Sequence, residues 1–127
     1  MEKVRKSILI NFTNHPSQMW GKEQKEAASH YGKVIDIPFP QVDGNASESY
    51  IEELASKYVA QILEVNPVAV VCQGEFCLTY QVVKLLKERD MKVLAACSKR
   101  ETKETVNDNG VSEKNAIFHF VRFREYT

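Results

Sequence analysis

Three short stretches of the chain carry residues that could do chemistry. The first is "NFTNHPSQ", residues 11–18, where Asn11, Thr13, Asn14 and His15 crowd the end of an apolar run. Together they offer hydrogen-bond donors and acceptors, and a histidine titrates near neutral pH. The second is "QGEF", residues 73–76. Gly74 lets a ligand approach the backbone, and the amides that open the following helix would suit a phosphate or another anion. Glu75 is either a general base, or acceptor for a sugar hydroxyl, or simply a carboxylate favoured at a helix start. Thr79, one helical turn later, would face the same way. The third is "CSKRE", residues 97–101, which places Ser98, Lys99 and Arg100 after an apolar strand, with Arg100 suited to a forked grip on phosphate. Arg122 and Arg124 would add charge, or form a solvated strand face.

Each group also has a plain structural account. Asn11 and Ser17 fit turn satisfaction and helix capping, whereas Asn14 and His15 are open to a ligand role. No phosphate-loop or dinucleotide glycine pattern is present. Cys72, Cys77 and Cys97 have no CxxC spacing and lie in apolar stretches, so they read as free thiols, with neither a metal site nor another cofactor expected. No base adjoins them for nucleophilic catalysis. His119 reads as a structural strand residue and His30 as a surface one.

The elements that must position these residues follow from periodicity. Residues 7–12 form a short buried strand, and 13–19 a loop fixed by Pro16. A helix capped by Ser17 runs to about Tyr31, where Gly32 stops it. A second strand, 34–37, is closed by "PFP", where the prolines should take the chain out of the sheet. A longer helix capped by Ser47 carries Tyr50, Leu54, Tyr58, Ile62 and Leu63 on one face and ends before Asn66-Pro67. The wholly apolar "VAVVC", 68–72, reads as a strand covered on both faces. A third helix reaches Asp90 with Leu78, Val82, Leu85 and Leu86 inward, and "KVLAAC" is the fourth strand. "ETKETV" and "NAIFHFVRFR" flank the turn "NDNG" and form an antiparallel hairpin. In its last strand Phe118, Phe120, Arg122 and Arg124 share one face, and Ile117, His119, Val121 and Phe123 the other.

Three strand–helix alternations predict right-handed crossovers and an α/β sheet of order 2-1-3-4, extended by the hairpin, with helices on both sides. The winding reverses between strands one and three. Ligands bind such sheets at the carboxyl ends of the strands flanking that reversal, so the three stretches should meet in one crevice.

The chain of 127 residues is the length of one ordinary domain, residues 1–127. Lysine plus arginine balance aspartate plus glutamate, 17 against 17, which gives no reason to expect long nucleic acid as a partner. No signal peptide or membrane-spanning run is evident, and the three unpaired cysteines suggest the cytoplasm.

The segments "NFTNHPSQMW", "IDIPFPQVD", "CQGEFCLTYQVVKLLKERDMKVLAACSKRET" and "FHFVRFREY" add a resemblance over nearly the whole chain. Its most specific pieces are the NHP loop, the GEF turn and the terminal FVRFREY. The chain resembles the small stand-alone CRISPR-associated proteins with a CARF-type, Rossmann-like three-layer fold, of the ring nuclease kind. The resemblance implies binding and linearising of cyclic oligoadenylate, with cyclic tetra-adenylate the expected ring, by metal-independent attack of a ribose 2′-hydroxyl on the adjacent phosphate. It further implies a homodimer. Within this chain it points to His15, Glu75 and Arg100 for catalysis, and to Thr13, Asn14, Gln73, Gly74, Phe76, Thr79, Ser98 and Lys99 for the ligand. A sensor or buffer that binds without cutting is the competing expectation, and a Rossmann-like protein for another phosphate ligand stands behind both.

Overall fold

The computed structural model describes residues 6–127. In chain order the elements are β1 (Lys6–Thr13), a 3-10 turn (Ser17–Met19), α1 (Lys22–Ser29), β2 (Lys33–Asp36), α2 (Glu48–Val65), β3 (Pro67–Gln73), α3 (Phe76–Lys87), β4 (Lys92–Val106) and β5 (Ser112–Glu125). The five strands form one mixed sheet in the order β2-β1-β3-β4-β5. Four run parallel, and β5 returns antiparallel to β4. The expected α/β order therefore holds, with the winding reversed between β1 and β3.

Alternation along each strand divides the core into two layers. Ile10, Phe12, Val70, Cys72 and Val93 face α2 and α3, whose buried stripes are Ile51, Ala55, Val59 and Ile62, and Leu78, Val82 and Leu86. Leu9, Ala69, Val71 and Leu94 face the other way, onto Trp20, Ala28 of α1 and Phe123. Continuous apolar strands fit a sheet buried on both faces. Among the described residues no helix is long and apolar enough to cross a membrane.

Local chemistry explains most boundaries. Ser47 caps α2 by accepting from the amide of Tyr50 at 3.1 Å, and Asn66 closes it in the left-handed region at φ 55°. Gly32, at φ 137°, passes so close to β1 that a Cβ would lie 2.1 Å from the carbonyl oxygen of Ser7. Only glycine fits there.

Several expectations need correction. Residues 17–31 do not make one helix. Ser17–Met19 is a 3-10 turn, Trp20 turns inward, and α1 starts afresh after Gly21. Burying the indole against Phe123, ring centroids 6.0 Å apart, interrupts the helix. On α2 Ile62 is buried as expected and Leu54, Tyr58 and Leu63 pack partly buried against the core, but the deepest stripe also takes Ile51, Ala55 and Val59, and Tyr50 is half exposed. The fully buried Ala55 lies on that stripe, where a helix packed on a sheet favours a small side chain. α3 ends at Lys87, three residues before Asp90.

The prolines do not take the chain off the sheet at once. The amide of Ile37 donates to Asn11 at 3.0 Å and that of Phe39 to Thr13 at 3.3 Å. Pro38 and Pro40 alternate with these donors, at positions where an edge strand needs no N–H.

The fourth strand does not end at Cys97 either. β4 and β5 stay paired from Leu94–Glu125 to Val106–Ser112, so a long two-stranded ribbon leaves the sheet at its carboxyl edge. The register steps between the pairs Cys97–Arg122 and Ser98–Phe120, leaving Val121 as a bulge. The bulge resets the alternation. Phe120 and Phe123, expected on opposite faces, meet with ring centroids 5.0 Å apart.

Candidate functional site

The carboxyl ends of β1, β3 and β4 open into a cleft of about 760 Å³, within the roughly 300–1,000 Å³ usual for small-molecule sites. It lies on the α1 face of the sheet. Thr13, Asn14 and His15 form one wall, and Gln73 and Gly74 the floor. Ser98, Phe118 and Phe120 of the ribbon stand opposite, and Trp20 and Gln24 close the α1 side.

The first loop is held by a buried network. Asn11, 1% exposed, donates from Nδ2 to the carbonyl of His15 at 2.8 Å and to Asp36 Oδ1 at 3.1 Å. Thr13 Oγ1 donates to Asn11 Oδ1 at 2.8 Å and accepts from the amide of His15 at 3.1 Å. The other oxygen of Asp36 accepts from the amide of Ser17 at 3.0 Å. Asn11 and Thr13 thus fix the main chain on both sides of His15, while its exposed imidazole borders the cleft. Ser17 makes no side-chain cap, and its amide is instead tied to Asp36. Asn14 is exposed and borders the cleft with its neighbour.

The floor is partly committed to the fold. Beyond the pair Val71–Leu94 the ladder between β3 and β4 stops. The side chain of Gln73 spans the gap, accepting from the amide of Ala96 at 2.8 Å and donating to its carbonyl at 3.3 Å. On the other side of the fork the hydroxyl of Tyr126 donates to the carbonyl of Cys72 at 2.7 Å. Two side chains therefore replace strand pairing where the ribbon diverges. Gly74 has a packing reason besides ligand access, because a Cβ there would lie 2.6 Å from the ring of Phe39.

Glu75, Phe76, Thr79, Lys99 and Arg100 are not among the residues lining the cleft. Glu75 caps α3, its Oε1 accepting from the amide of Leu78 at 2.8 Å. Phe76 is 91% exposed, and the Thr79 hydroxyl is buried without a hydrogen-bond partner. Ser98, Lys99 and Arg100 are strand residues of the ribbon rather than a loop. Ladder alternation puts Arg100 on the cleft-side face with Ser98, Phe118 and Phe120, directly across from the lining residue Phe118. Lys99 shares the opposite face with Glu101 and His119.

His119 borders the cleft, a placement that its apolar sequence neighbours concealed. Its Nε2 is engaged with Glu101 Oε2 at 2.9 Å on the ribbon's other face. Both side chains are more than half exposed, so this pair adds little stability. Burial pushes the Cys72 thiol up to about 12, and Cys77 is exposed. Among the described residues no three His, Cys, Asp or Glu side chains gather as a metal site. The described residues lining the cleft include no lysine or arginine. Positive charge would have to come from Arg100 on the ribbon, or from His15 when protonated.

Phe118, Phe120, His119, Trp20, Glu23 and Gln24 are among the cleft residues that the sequence reading passed over. An aromatic at the exposed end of a strand gave no signal, and Trp20 looked like one more member of a helix stripe. Comparison with known proteins yields no matching curated protein and no matching solved structure. A family model does match residues 7–124, and the chain belongs to that family, the uncharacterized protein MJ1673 family.

Proposed function

We propose that this protein is a ring nuclease of CARF-type, Rossmann-like fold, which binds cyclic oligoadenylate and opens the ring. The observation that carries the reading is the position of His15. Its exposed imidazole stands at the cleft on a main chain fixed by Asn11 and Thr13. The motifs "NHP", "GEF" and "FVRFREY" support the same reading through their resemblance to such proteins.

In this mechanism the ribose 2′-oxygen attacks the adjacent phosphorus. Its proton passes to His15, the P–O5′ bond breaks, and the 5′-oxygen leaves as a hydroxyl after taking up a proton. The products carry 2′,3′-cyclic phosphate ends. The protein's task is to align the 2′-oxygen with the leaving oxygen and to stabilise charge on the phosphate. Arg100 supplies that charge from the ribbon. Asn14 and Ser98 hold ribose or phosphate oxygens. A ring with two-fold symmetry needs only half of itself in each cleft of a homodimer.

Glu75 favours a second reading, in which the protein binds the ring without cutting it. Its cap hydrogen bond ties one carboxylate oxygen to the fold, which leaves His15 as the main acid–base group of the β1 and β3 walls.

Incubation with cyclic tetra-adenylate in EDTA, followed by chromatography, decides between them. Linear fragments ending in cyclic phosphate are expected. Intact ring retained on the protein selects the binding module, and neither cleavage nor retention rejects both.

A further inference from the structure

The outer wall of the cleft is aromatic and exposed. Phe118 is 67% exposed although it borders a concave site. Its backbone is held in the ladder between the pairs Ser98–Phe120 and Thr102–Ala116, so the ring is displayed on a regular support. Behind it, Phe120 packs on the buried Phe123, which anchors the base of the ribbon to the core. Phe118 itself contributes little to that core. Directly across the ladder from Phe118 is Arg100, also exposed. Paired residues on one face have Cβ atoms about 4.5–5.5 Å apart, so a flat apolar ring and an exposed cationic side chain start side by side.

This pairing selects a ligand chemistry. A sugar alone offers Phe118 only a small C–H face and leaves most of the ring uncovered, and an acyl chain would need an enclosed apolar pocket. The rest of the lining is polar, with Asn14 on the opposite wall and Glu23 and Gln24 on the α1 side. A nucleobase fits both walls, because it stacks on one and presents donors and acceptors at its edge to the other. We infer that the Phe118–Arg100 pair is a nucleotide-recognition shelf, on which the phenyl ring stacks a base while the guanidinium takes the phosphate attached to it. The inference rests on the proposed function only for the identity of the base, adenine. It adds Phe118 as the residue that grips the base and gives Arg100 its geometric partner.

Trp20, the single tryptophan of the chain, borders the cleft and reports on its occupancy by fluorescence. The full-length protein is titrated with adenosine 5′-monophosphate, adenosine, ribose 5-phosphate and cyclic tetra-adenylate. Phe118→Leu should weaken both adenosine compounds and the ring about tenfold and leave ribose 5-phosphate unchanged. Phe118→Tyr should restore binding. Arg100→Gln should weaken the phosphorylated probes and spare adenosine. Thermal unfolding should be unchanged in all three variants, since both side chains are exposed. Wild-type affinity for the monophosphate or the ring in Phe118→Leu overturns the shelf, as does absence of binding of every probe to the wild type. A ring that is cut normally by Phe118→Leu rejects the shelf and keeps the nuclease. A ring that is never cut, with monophosphate binding that depends on Phe118, rejects the nuclease and keeps the shelf.

Discussion

The side-chain amide of Asn11 donates to the main-chain carbonyl of His15 at 2.8 Å from a position that is 1% exposed. A strand residue thereby fixes the loop that follows it, and the tie extends to Asp36 on the sheet's edge strand and from there to Ser17. Asn11→Ala removes two donated bonds and the acceptor of Thr13. It should cost about 1–3 kcal/mol, the usual range for orphaning buried polar partners. Amide hydrogen exchange at His15 and Ser17 should accelerate by more than exchange in α2. Urea unfolding and exchange mass spectrometry check this, and unchanged protection of the loop would show that the network does not hold it.

Gly74 and Phe39 form a second tested pair. A Cβ on residue 74 would lie 2.6 Å from the ring, and Phe39 is itself stacked on Phe12, centroids 4.8 Å apart. Gly74→Ala should therefore destabilise by about 1–3 kcal/mol through overpacking. In the background of Phe39→Leu the same change should cost much less. Additive costs in a double-mutant cycle would mean that the glycine is needed for another reason, ligand access included.

Glu75 separates a cap from a base. Serine is a good N-cap residue and alanine a poor one, a difference of about 0.5–2 kcal/mol. Glu75→Ser should keep the thermal stability that Glu75→Ala loses. Ring cleavage by Glu75→Ser should stay near wild type, because the carboxylate of Glu75 is absent from the cleft lining and bound to Leu78. Loss of turnover in a stable Glu75→Ser protein would return the general-base role to this carboxylate.

Cys72 sets an alkaline limit on stability. Its thiol is pushed up to about 12 by burial, against 9.0 unfolded. Above pH 9 the unfolded chain loses this proton while the folded chain keeps it. Stability should then fall as pH rises from 9 toward 12, with a slope of up to about 1.4 kcal/mol per pH unit from this group. Tyr126 is also raised, by burial first and then by the nearby Cys72 and Cys97, and acts in the same direction above pH 10. Cys72→Val should flatten the decline in urea midpoints between pH 9 and 10. An unchanged slope would show that the thiol is not responsible.

The strand order was legible because the apolar runs are long and the crossover rule leaves few alternatives. The meeting of the first two loops followed from that order alone. What stayed hidden depends on contacts between distant residues. Ser98–Arg100 looked like a loop because polar residues follow an apolar strand, yet pairing with residues 118–120 keeps them extended. Pro38 and Pro40 read as an exit from the sheet, but only the partner strand reveals that their missing donors point outward. Trp20 broke a helix pattern for a partner, Phe123, a hundred residues away.

The bulge at Val121 joins fold and site, and giving it a partner is the most severe test of the ribbon's geometry. With Val121 unpaired, Phe123 is buried under α1 while Phe120 and Phe118 line the cleft on the same face. Deleting Val121 brings Phe120 next to Arg122, so the pairs Cys97–Arg122, Ser98–Phe120 and Arg100–Phe118 survive in a regular ladder and the three phenyl rings keep their common face. The reverse change, one alanine inserted between Cys97 and Ser98, gives Val121 a partner. Alternation then runs unbroken, and with Phe123 still buried every pair beyond the insertion turns over. Phe118 and Arg100 move together to the face away from the cleft. The turnover costs little, because the ribbon beyond Cys97 is exposed on both faces. Deletion of Val121 should therefore give a folded protein that keeps nucleotide binding. The insertion should also fold and keep the Phe118–Arg100 nuclear Overhauser contact, but lose nucleotide binding. An insertion variant that binds nucleotide like the wild type would show that the bulge is not the device that aims the aromatic wall.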